Sequence, residues 1–315
     1  MMHWVSSNKC LKRSMMIEVD FVRQLIKKFK SQIKNIRGWN VKIDRECYPI
    51  SDETLKKELP EQKLKKFDLS EEEFWNWLKV SGLEEFIGYS YLHKKALEFF
   101  FSSHLLDIRD KDIVLDIAGG KSNYLLAVKR TFSPSKLILQ DHIYEGIKES
   151  NDILIVGGDV SNILLPDMSV HKIACHHAFE HFKGNTDSEC IKEISRLLKP
   201  GGKAVIIPIF ISKDYIECYN IKVKKKFDNN AKLIVDKTAS LPGGSDDGHF
   251  ARIYNIRALY HRVLVIAEKF ALNWSIATCT LDHKLLPDMN KNFGAKINYP
   301  LRALVLIKKE VSNAK

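Results

Sequence analysis

The sequence predicts an α/β protein in which a mostly parallel, doubly wound sheet follows an α-helical N-terminal region. From residue 112 onward, short apolar runs alternate with helical segments, which is typical of a parallel sheet with helices on both faces. Over 17–37 the apolar residues recur at spacings of three and four, which predicts a helix. We therefore expect a helical N-terminal region at 1–90 and an α/β domain at 91–315, with a polar, turn-rich insertion at 211–250.

The candidate strands of the α/β domain are short apolar runs separated by turns. Five lie before the insertion and two lie after it, and a helix is predicted over 255–268. The strands are predicted at 112–117, 136–140, 152–156, 170–175, 203–209, 271–280 and 301–308.

The N-terminal region is predicted to contain several helices, one of which is strongly basic. Residues 17–37 place apolar side chains on one face and Lys/Arg on the other. Such a helix could lie on anionic lipid, but it more often packs against its own protein, and we expect packing. A short helix is predicted after Ser51, a capping box formed by Ser70 and Glu73 predicts the start of the next one, and a further helix is predicted over 91–106.

The composition excludes several classes of protein. The chain has 315 residues, is 45% hydrophobic and carries a formal net charge of +11, as an ordinary globular protein can. Its six cysteines are scattered, which argues against a disulfide framework and a structural zinc site and fits a reducing compartment. It has no signal-peptide core and no apolar run of about 18 residues, so we expect a cytoplasmic protein. The basic helix is the segment that could associate with a membrane.

A glycine turn after the first strand predicts a nucleotide site, but two common sites do not fit it. A phosphate loop ending at Gly120-Lys121-Ser122 would need glycine at position 115, where the chain has Leu115. A dinucleotide fingerprint would need three spaced glycines, and only the adjacent Gly119 and Gly120 occur.

The segment "DIAGGKS", residues 116–122, resembles the D-x-G-x-G-x-G turn of class I S-adenosylmethionine-dependent methyltransferases. Asp116 matches the acid and Gly120 the central glycine, while Ala118 and Ser122 stand where the family has the first and third glycines. Both replacements are small, so a close approach of the backbone to a ligand is still expected.

Later motifs extend the resemblance over about residues 91–310. Asp141 lies 25 residues after Asp116, at the spacing of an acid that binds ribose hydroxyls. Asp159 resembles the family's acid near the adenine amino group, and "LLKPGGKAVIIPIF" resembles its fifth strand with the preceding turn. The resemblance implies a Rossmann-like, seven-stranded sheet of order 3-2-1-4-5-7-6 with strand 7 antiparallel, and S-adenosylmethionine as cofactor. The implied cofactor-binding residues are Asp116, Ala118, Gly119, Gly120, Ser122, Asp141, His142, Gly158, Asp159, Val160 and His176.

Three histidines are candidates for a general base. Methyl transfer to a hydroxyl requires removal of a proton, and histidine suits that role near neutral pH. We place His177 first and His249 second, with His176 as the third candidate. Residues 177–181 also match H-x-x-E-H, a zinc hydrolase signature that needs a long helix, but they directly follow a predicted strand. We therefore expect no metal.

The acceptor is the least determined part of the prediction. Residues 157–210 resemble methyltransferases associated with bacterial surface-polysaccharide synthesis, which implies a sugar hydroxyl of a nucleotide-linked or lipid-linked glycan. Residues 1–40 hold nine Lys/Arg against two acids, and this excess could attract such anionic molecules. An RNA methyltransferase and an inactive cofactor-binding partner subunit are the alternatives; the chain carries no recognised RNA-binding motif, so nucleic acid is not expected. A small-molecule acceptor and a homodimer are both compatible with the sequence.

Overall fold

The computed structural model describes residues 49–84, 90–219, 226–235, 250–285 and 300–310. The basic helix predicted over 17–37 lies outside these ranges, and so does His249. The helices are α1 Asp52–Glu58, α2 Glu71–Ser81, α3 Ser90–Leu106, α4 Tyr124–Phe132, α5 Thr186–Leu197, α6 Ile256–Leu259 and α7 Val265–Lys269. Short 3-10 turns span Glu61–Lys63 and Phe179–His181, and a π-helical turn, Tyr260–Leu264, joins α6 to α7.

The predicted capping box is confirmed at the start of α2. The Ser70 hydroxyl accepts from the Glu73 backbone N–H at 3.0 Å, and the Glu73 carboxylate accepts from the Ser70 backbone N–H at 2.8 Å. The two bonds satisfy backbone donors that a helix start leaves without intrahelical partners.

The strands form one large sheet and one small sheet. The large sheet contains β1 Leu64–Leu69, β2 Ile113–Ile117, β3 Lys136–Asp141, β4 Ile147–Ser150, β5 Ile153–Gly157, β6 Val170–His176, β7 Leu198–Ile207, β11 Leu272–Leu281, β12 Lys284–Leu285 and β13 Arg302–Lys308. The small sheet contains β8 Ile216–Tyr219, β9 Lys232–Val235 and β10 Phe250–Ile253, in the order β10-β8-β9.

The order of the large sheet confirms the predicted fold class. The seven predicted strands lie in the order β5-β3-β2-β6-β7-β13-β11, and β13 is antiparallel to both of its neighbours. In the predicted numbering this is 3-2-1-4-5-7-6. The carboxyl ends of β2, β3, β5 and β6 therefore meet at one edge, where open sheets of this kind bind ligands.

Additional strands extend the sheet at both edges. β4 pairs antiparallel with β5 at one edge, and β1 pairs parallel with β11 at the other. β1 belongs to the region that we expected to be helical. Its sequence, LKKFDL, lacks the strict apolar alternation of a half-buried strand, because exposed Lys65 and Lys66 lie together on an edge strand. The division of the chain at residue 90 stays a prediction.

Each face of the large sheet has its own apolar core. Val114 and Leu115 are neighbours on β2, and because side chains alternate along a strand they pack in opposite cores. Helices α2, α3 and α4 cover one face, while α1, α5, α6 and α7 cover the other. The doubly wound arrangement is thus present, and no helix in the described ranges is long and apolar enough to cross a membrane.

A buried ionic network joins the small sheet to the rest of the domain. Arg252 on β10 donates to Asp187 on α5 at 2.8 Å, and all three of Arg252, Asp187 and Glu217 on β8 are inaccessible to solvent. Arg262, on the π-helical turn, and the Tyr254 hydroxyl also donate to Asp187, at 2.8–2.9 Å. Because every buried charge here has partners of opposite sign, the network fixes the small sheet against α5.

Candidate cofactor and acceptor site

The glycine turn connects β2 to α4 through two left-handed residues. Ala118 has φ 52° and Gly120 has φ 57°. The left-handed region disfavours any residue with a Cβ, so Ala118 keeps the backbone conformation of the glycine that it replaces, at a cost of about 1 kcal/mol. The turn is closed by a hydrogen bond of 2.9 Å from Ser122 N–H to the Gly119 carbonyl.

Asp116 lies directly beneath this turn and is completely buried. Its Oδ2 accepts a hydrogen bond of 3.0 Å from the Ser122 hydroxyl, and its Oδ1 lies 3.4 Å from His176 Nδ1. A Cβ on Gly119 would stand 2.8 Å from Asp116 Cγ and 2.5 Å from Leu139 Cδ1, so only glycine fits at position 119.

Asp141, at the end of β3, contacts the same turn from the other side. Its Oδ2 accepts from the Gly120 N–H at 2.8 Å and its Oδ1 accepts from the Ile143 N–H at 3.0 Å. The Tyr144 hydroxyl donates to the Gly120 carbonyl at 2.8 Å. His142 is largely exposed, with Nδ1 3.1 Å from Asp141 Oδ1.

Gln140 is a site residue that the sequence analysis missed. Its side-chain oxygen accepts from the Ala118 N–H at 3.2 Å, and its side-chain nitrogen donates to the Gly158 carbonyl at 2.6 Å. The sequence signal for this residue was a glutamine near the end of the otherwise apolar strand "KLILQD". The structure buries its side chain, so its polar atoms need partners. Gln140 ties the glycine turn to the segment after β5.

That segment carries the third predicted acid, Asp159. Asp159 is exposed, and its Oδ1 accepts from the Ser161 hydroxyl and backbone N–H at 2.6 and 2.8 Å. These bonds, with His142 nearby, hold the pKa of Asp159 below its usual value. The neighbouring Val160 packs its side chain into an apolar core, which leaves its backbone as the part available to a ligand.

Open space adjoins the backbone around these acids. Gly158 has φ 124° and a Cβ built on it would meet nothing within 4 Å, so open space adjoins the peptide beside Asp159. At Gly120 the built Cβ would meet only Asp141 Oδ2, at 3.6 Å. The two glycines thus leave room for a ligand beside two carboxylates, at the carboxyl edge of the sheet.

His177 follows β6, the strand next to β2, and has two buried carboxylates as partners. Its backbone is left-handed, with φ 47°, a strained conformation for a residue with a side chain. Its Nε2 lies 2.7 Å from Glu98 Oε1 on α3, and its Nδ1 lies 3.0 Å from Glu180 Oε1. The Phe210 ring lies 6.1 Å from the imidazole. Glu98, which is separated from His177 by 79 residues, was not among the predicted site residues.

Glu180 lies on the 3-10 turn that follows His177. Burial raises its pKa, but His181 and the hydrogen bond from His177 outweigh burial and lower it to about 2. His181 Nδ1 lies 2.6 Å from the Phe250 carbonyl on β10, which links this turn to the small sheet. The H-x-x-E-H segment therefore does not form the long helix of a zinc hydrolase, and the described residues contain no group of three His, Cys, Asp or Glu placed to hold a metal ion.

His176 is placed differently from His177. Its side chain is only 4% exposed, and both ring nitrogens contact buried groups, Asp116 and Ser102. A general base has to reach the acceptor, so this burial makes His176 a poor candidate for that role.

A family of known proteins matches part of the chain. The family described as "Methyltransferase domain" matches residues 115–206, which run from β2 to β7. No protein of curated function matches the chain by sequence.

Several solved structures are similar to the chain at low sequence identity. The YcgJ protein from Bacillus subtilis is 14% identical, with a TM-score of 0.42 over 68% of this chain and 98% of that one. A SAM-dependent methyltransferase from Aquifex aeolicus is 14% identical, with a TM-score of 0.36 over 67% and 91%. The 1,6-didemethyltoxoflavin-N1-methyltransferase of Burkholderia thailandensis, solved with 1,6-didemethyltoxoflavin and S-adenosylhomocysteine, is 11% identical, with a TM-score of 0.42 over 85% and 98%.

The family match covers the glycine turn, the acids Asp116, Asp141 and Asp159 near the ends of β2, β3 and β5, and most of these strands. The predicted fold, enzyme class and cofactor are therefore confirmed, while the acceptor is not among the features that the match covers. Residues 115–206 match a methyltransferase domain, which supports the predicted enzyme class with S-adenosylmethionine as cofactor.

Proposed function

We propose that this enzyme transfers the methyl group of S-adenosylmethionine to a hydroxyl oxygen bound beside His177. The observation that carries the proposal is the chain Glu98–His177–Glu180, which lies at the carboxyl end of β6, one strand from the glycine turn. A histidine held between two carboxylates can take part in accepting the proton that a hydroxyl acceptor loses during methylation.

The cofactor residues are assigned as follows. Asp141 would accept hydrogen bonds from the ribose hydroxyls, chiefly through Oδ2, which has a second lone pair available beyond its bond from the Gly120 N–H. Asp159 and the backbone of Val160 face the adenine, and the turn from Ala118 to Ser122 faces the methionine part. When bound, S-adenosylmethionine supplies an electrophilic methyl group on a positively charged sulfur.

The residues around His177 handle the proton of the acceptor. Both ring nitrogens lie at hydrogen-bonding distance from carboxylate oxygens, so neither nitrogen is free in this arrangement. The proton of the hydroxyl would therefore pass to the Glu98–His177–Glu180 chain as a unit, and bound S-adenosylmethionine would supply the methyl group that replaces this proton on the oxygen. The low pKa of Glu180 keeps a negative charge beside the ring.

The proposed acceptor is a sugar hydroxyl of a nucleotide-linked or lipid-linked glycan. A sugar hydroxyl needs the base just described, and its phosphate carrier is anionic while the protein has a net charge of +11. Contact of residues 17–37 with a membrane, and a homodimer, stay predictions.

Calorimetry and an acceptor screen test the proposal. S-adenosylhomocysteine should bind the wild-type protein, and labelled methyl groups should enter sugar nucleotides or lipid-linked sugars. His177→Ala should lower turnover roughly 100-fold or more and leave the affinity for S-adenosylhomocysteine unchanged. The exposed His261→Ala is the matched control and should retain wild-type turnover.

Three results would contradict the proposal. Unchanged turnover in His177→Ala would remove His177 from the mechanism. Labelling of RNA, with affinity that falls steeply as salt rises, would favour an RNA methyltransferase. Cofactor binding without methylation of any acceptor in the screen would favour an inactive partner subunit.

A further inference from the structure

A continuous chain of buried polar side chains runs beneath the glycine turn. The Ser122 hydroxyl bonds to Asp116, Asp116 contacts His176, and His176 Nε2 lies 2.8 Å from the Ser102 hydroxyl. Ser102 in turn lies 3.3 Å from the Tyr124 hydroxyl. The chain thus links α3, β6, β2 and the first residue of α4.

The order Ser102, His176, Asp116 resembles the polar triad of a hydrolase, but burial excludes that chemistry. Ser102 and Asp116 have no exposed surface, so no ester or peptide carbonyl can reach the hydroxyl. The imidazole is enclosed by the rings of Phe99 and Tyr124, at centroid distances of 4.9 and 4.3 Å. These groups act on one another and not on a substrate.

One member of this series of buried side chains, the carboxylate of Asp116, packs against the glycine turn. Asp116 has two polar side-chain contacts among the described residues, Ser122 on Oδ2 and His176 on Oδ1. Gly119 has no space for a Cβ because the carboxylate occupies it. Any rotation of this carboxylate therefore changes the position of the turn and of the Ser122 hydroxyl together.

We propose that His176 is a positioning residue for the cofactor, which acts by fixing the carboxylate of Asp116. Because a carboxylate only accepts hydrogen bonds, Nδ1 of His176 carries the proton that is shared with Asp116. Without this donor, Oδ1 would be buried without a polar partner, and the carboxylate would turn away from its place beneath Gly119. The proposal rests on the assignment of the glycine turn to the cofactor in the proposed function.

Two substitutions at position 176 separate positioning from packing. His176→Leu removes the donor to Asp116, and we expect the Kd for S-adenosylhomocysteine to rise about 10- to 100-fold. In His176→Asn, the side-chain amide nitrogen is attached at the same distance from the backbone as Nδ1. It can donate to Asp116, and we expect the Kd to stay within about threefold of wild type.

A matched control removes packing around the same ring but no hydrogen bond. Phe99→Leu reduces the ring contact with His176 and should lower the melting temperature without changing the Kd. If His176→Leu lowers the melting temperature but binds S-adenosylhomocysteine as wild type does, or if Phe99→Leu weakens binding equally, the residue is structural and the proposal is wrong. If the wild-type protein itself does not bind S-adenosylhomocysteine, the assignment of the cofactor site fails instead.

Discussion

Replacing Gly119 by alanine tests the contact between the glycine turn and Asp116. The new Cβ would stand 2.8 Å from Asp116 Cγ and 2.5 Å from Leu139 Cδ1, closer than real Cβ atoms approach their neighbours. Both neighbours are buried, so the carboxylate has to move by several tenths of an ångström and its bond to the Ser122 hydroxyl weakens.

The magnitude follows from these contacts. Overpacking of a buried site costs about 1–3 kcal/mol, and a weakened hydrogen bond to a charged group adds about 1 kcal/mol. Alanine also reduces the entropy of the unfolded chain, which offsets about 0.4–1 kcal/mol. We expect Gly119→Ala to lower the free energy of unfolding by about 1–3.6 kcal/mol, measured by urea denaturation. We also expect the Kd for S-adenosylhomocysteine to rise more than about tenfold.

Gly184→Ala is the matched control for this experiment. Gly184 has φ 58° and a Cβ there would meet nothing within 4 Å, so the substitution strains the backbone by about 1 kcal/mol without a clash. Its Kd for S-adenosylhomocysteine should equal that of the wild type. Wild-type stability and affinity in Gly119→Ala would refute the placement of the Asp116 carboxylate against the turn.

Three further substitutions address the ribose contact, the ionic network and the acceptor side. Asp141→Ala should raise the Kd for S-adenosylhomocysteine about 5- to 150-fold in calorimetry, because the ribose hydroxyls lose their acceptors; an unchanged Kd would contradict that role. Arg252→Met leaves Asp187 and Glu217 buried with fewer cationic partners, and we expect it to lower the free energy of unfolding in urea by about 3–5 kcal/mol. A loss below about 1 kcal/mol would show that the ion pairs are not buried. The pKa of Glu180 falls from 4.5 to about 2 on folding, so its ionised form stabilises the protein by about 3 kcal/mol above pH 4.5, and this contribution is lost as the pH falls towards 2. The difference in unfolding free energy between the wild type and Glu180→Gln should therefore shrink as the pH falls from about 4.5 towards 2; a difference that stays constant over this range would contradict the lowered pKa.

The central strands could be predicted from the sequence because their signals are local. Each apolar run from 112 to 207 is followed by a turn or a helix start, and the observed strands begin and end within a few residues of the predictions, except that β7 begins earlier, at Leu198. The sheet order required the resemblance to a family, since no local pattern states which strands are neighbours. Edge strands β1 and β4 were missed because both carry charged residues and few buried ones.

The part of the site that lies on one short segment could be predicted from the sequence. The turn from Asp116 to Ser122 is a single stretch of chain, and its replacement of glycine by Ala118 preserves the left-handed backbone. Contacts between distant segments left no sequence signal. Glu98 reaches His177 only because α3 packs across β6 and β7, and Gln140 joins two turns that are separated by 40 residues.

The ionic network around Asp187 limits movement of the small sheet away from α5. Detaching the small sheet would break at least two buried ion pairs, and breaking a single one costs about 3–5 kcal/mol. At equilibrium, fewer than about one molecule in a hundred would then have this sheet lifted. We therefore expect the β8–β10 unit to stay closed in nearly all molecules, and single-molecule distances between β10 and α5 should stay constant from the free enzyme to the product complex.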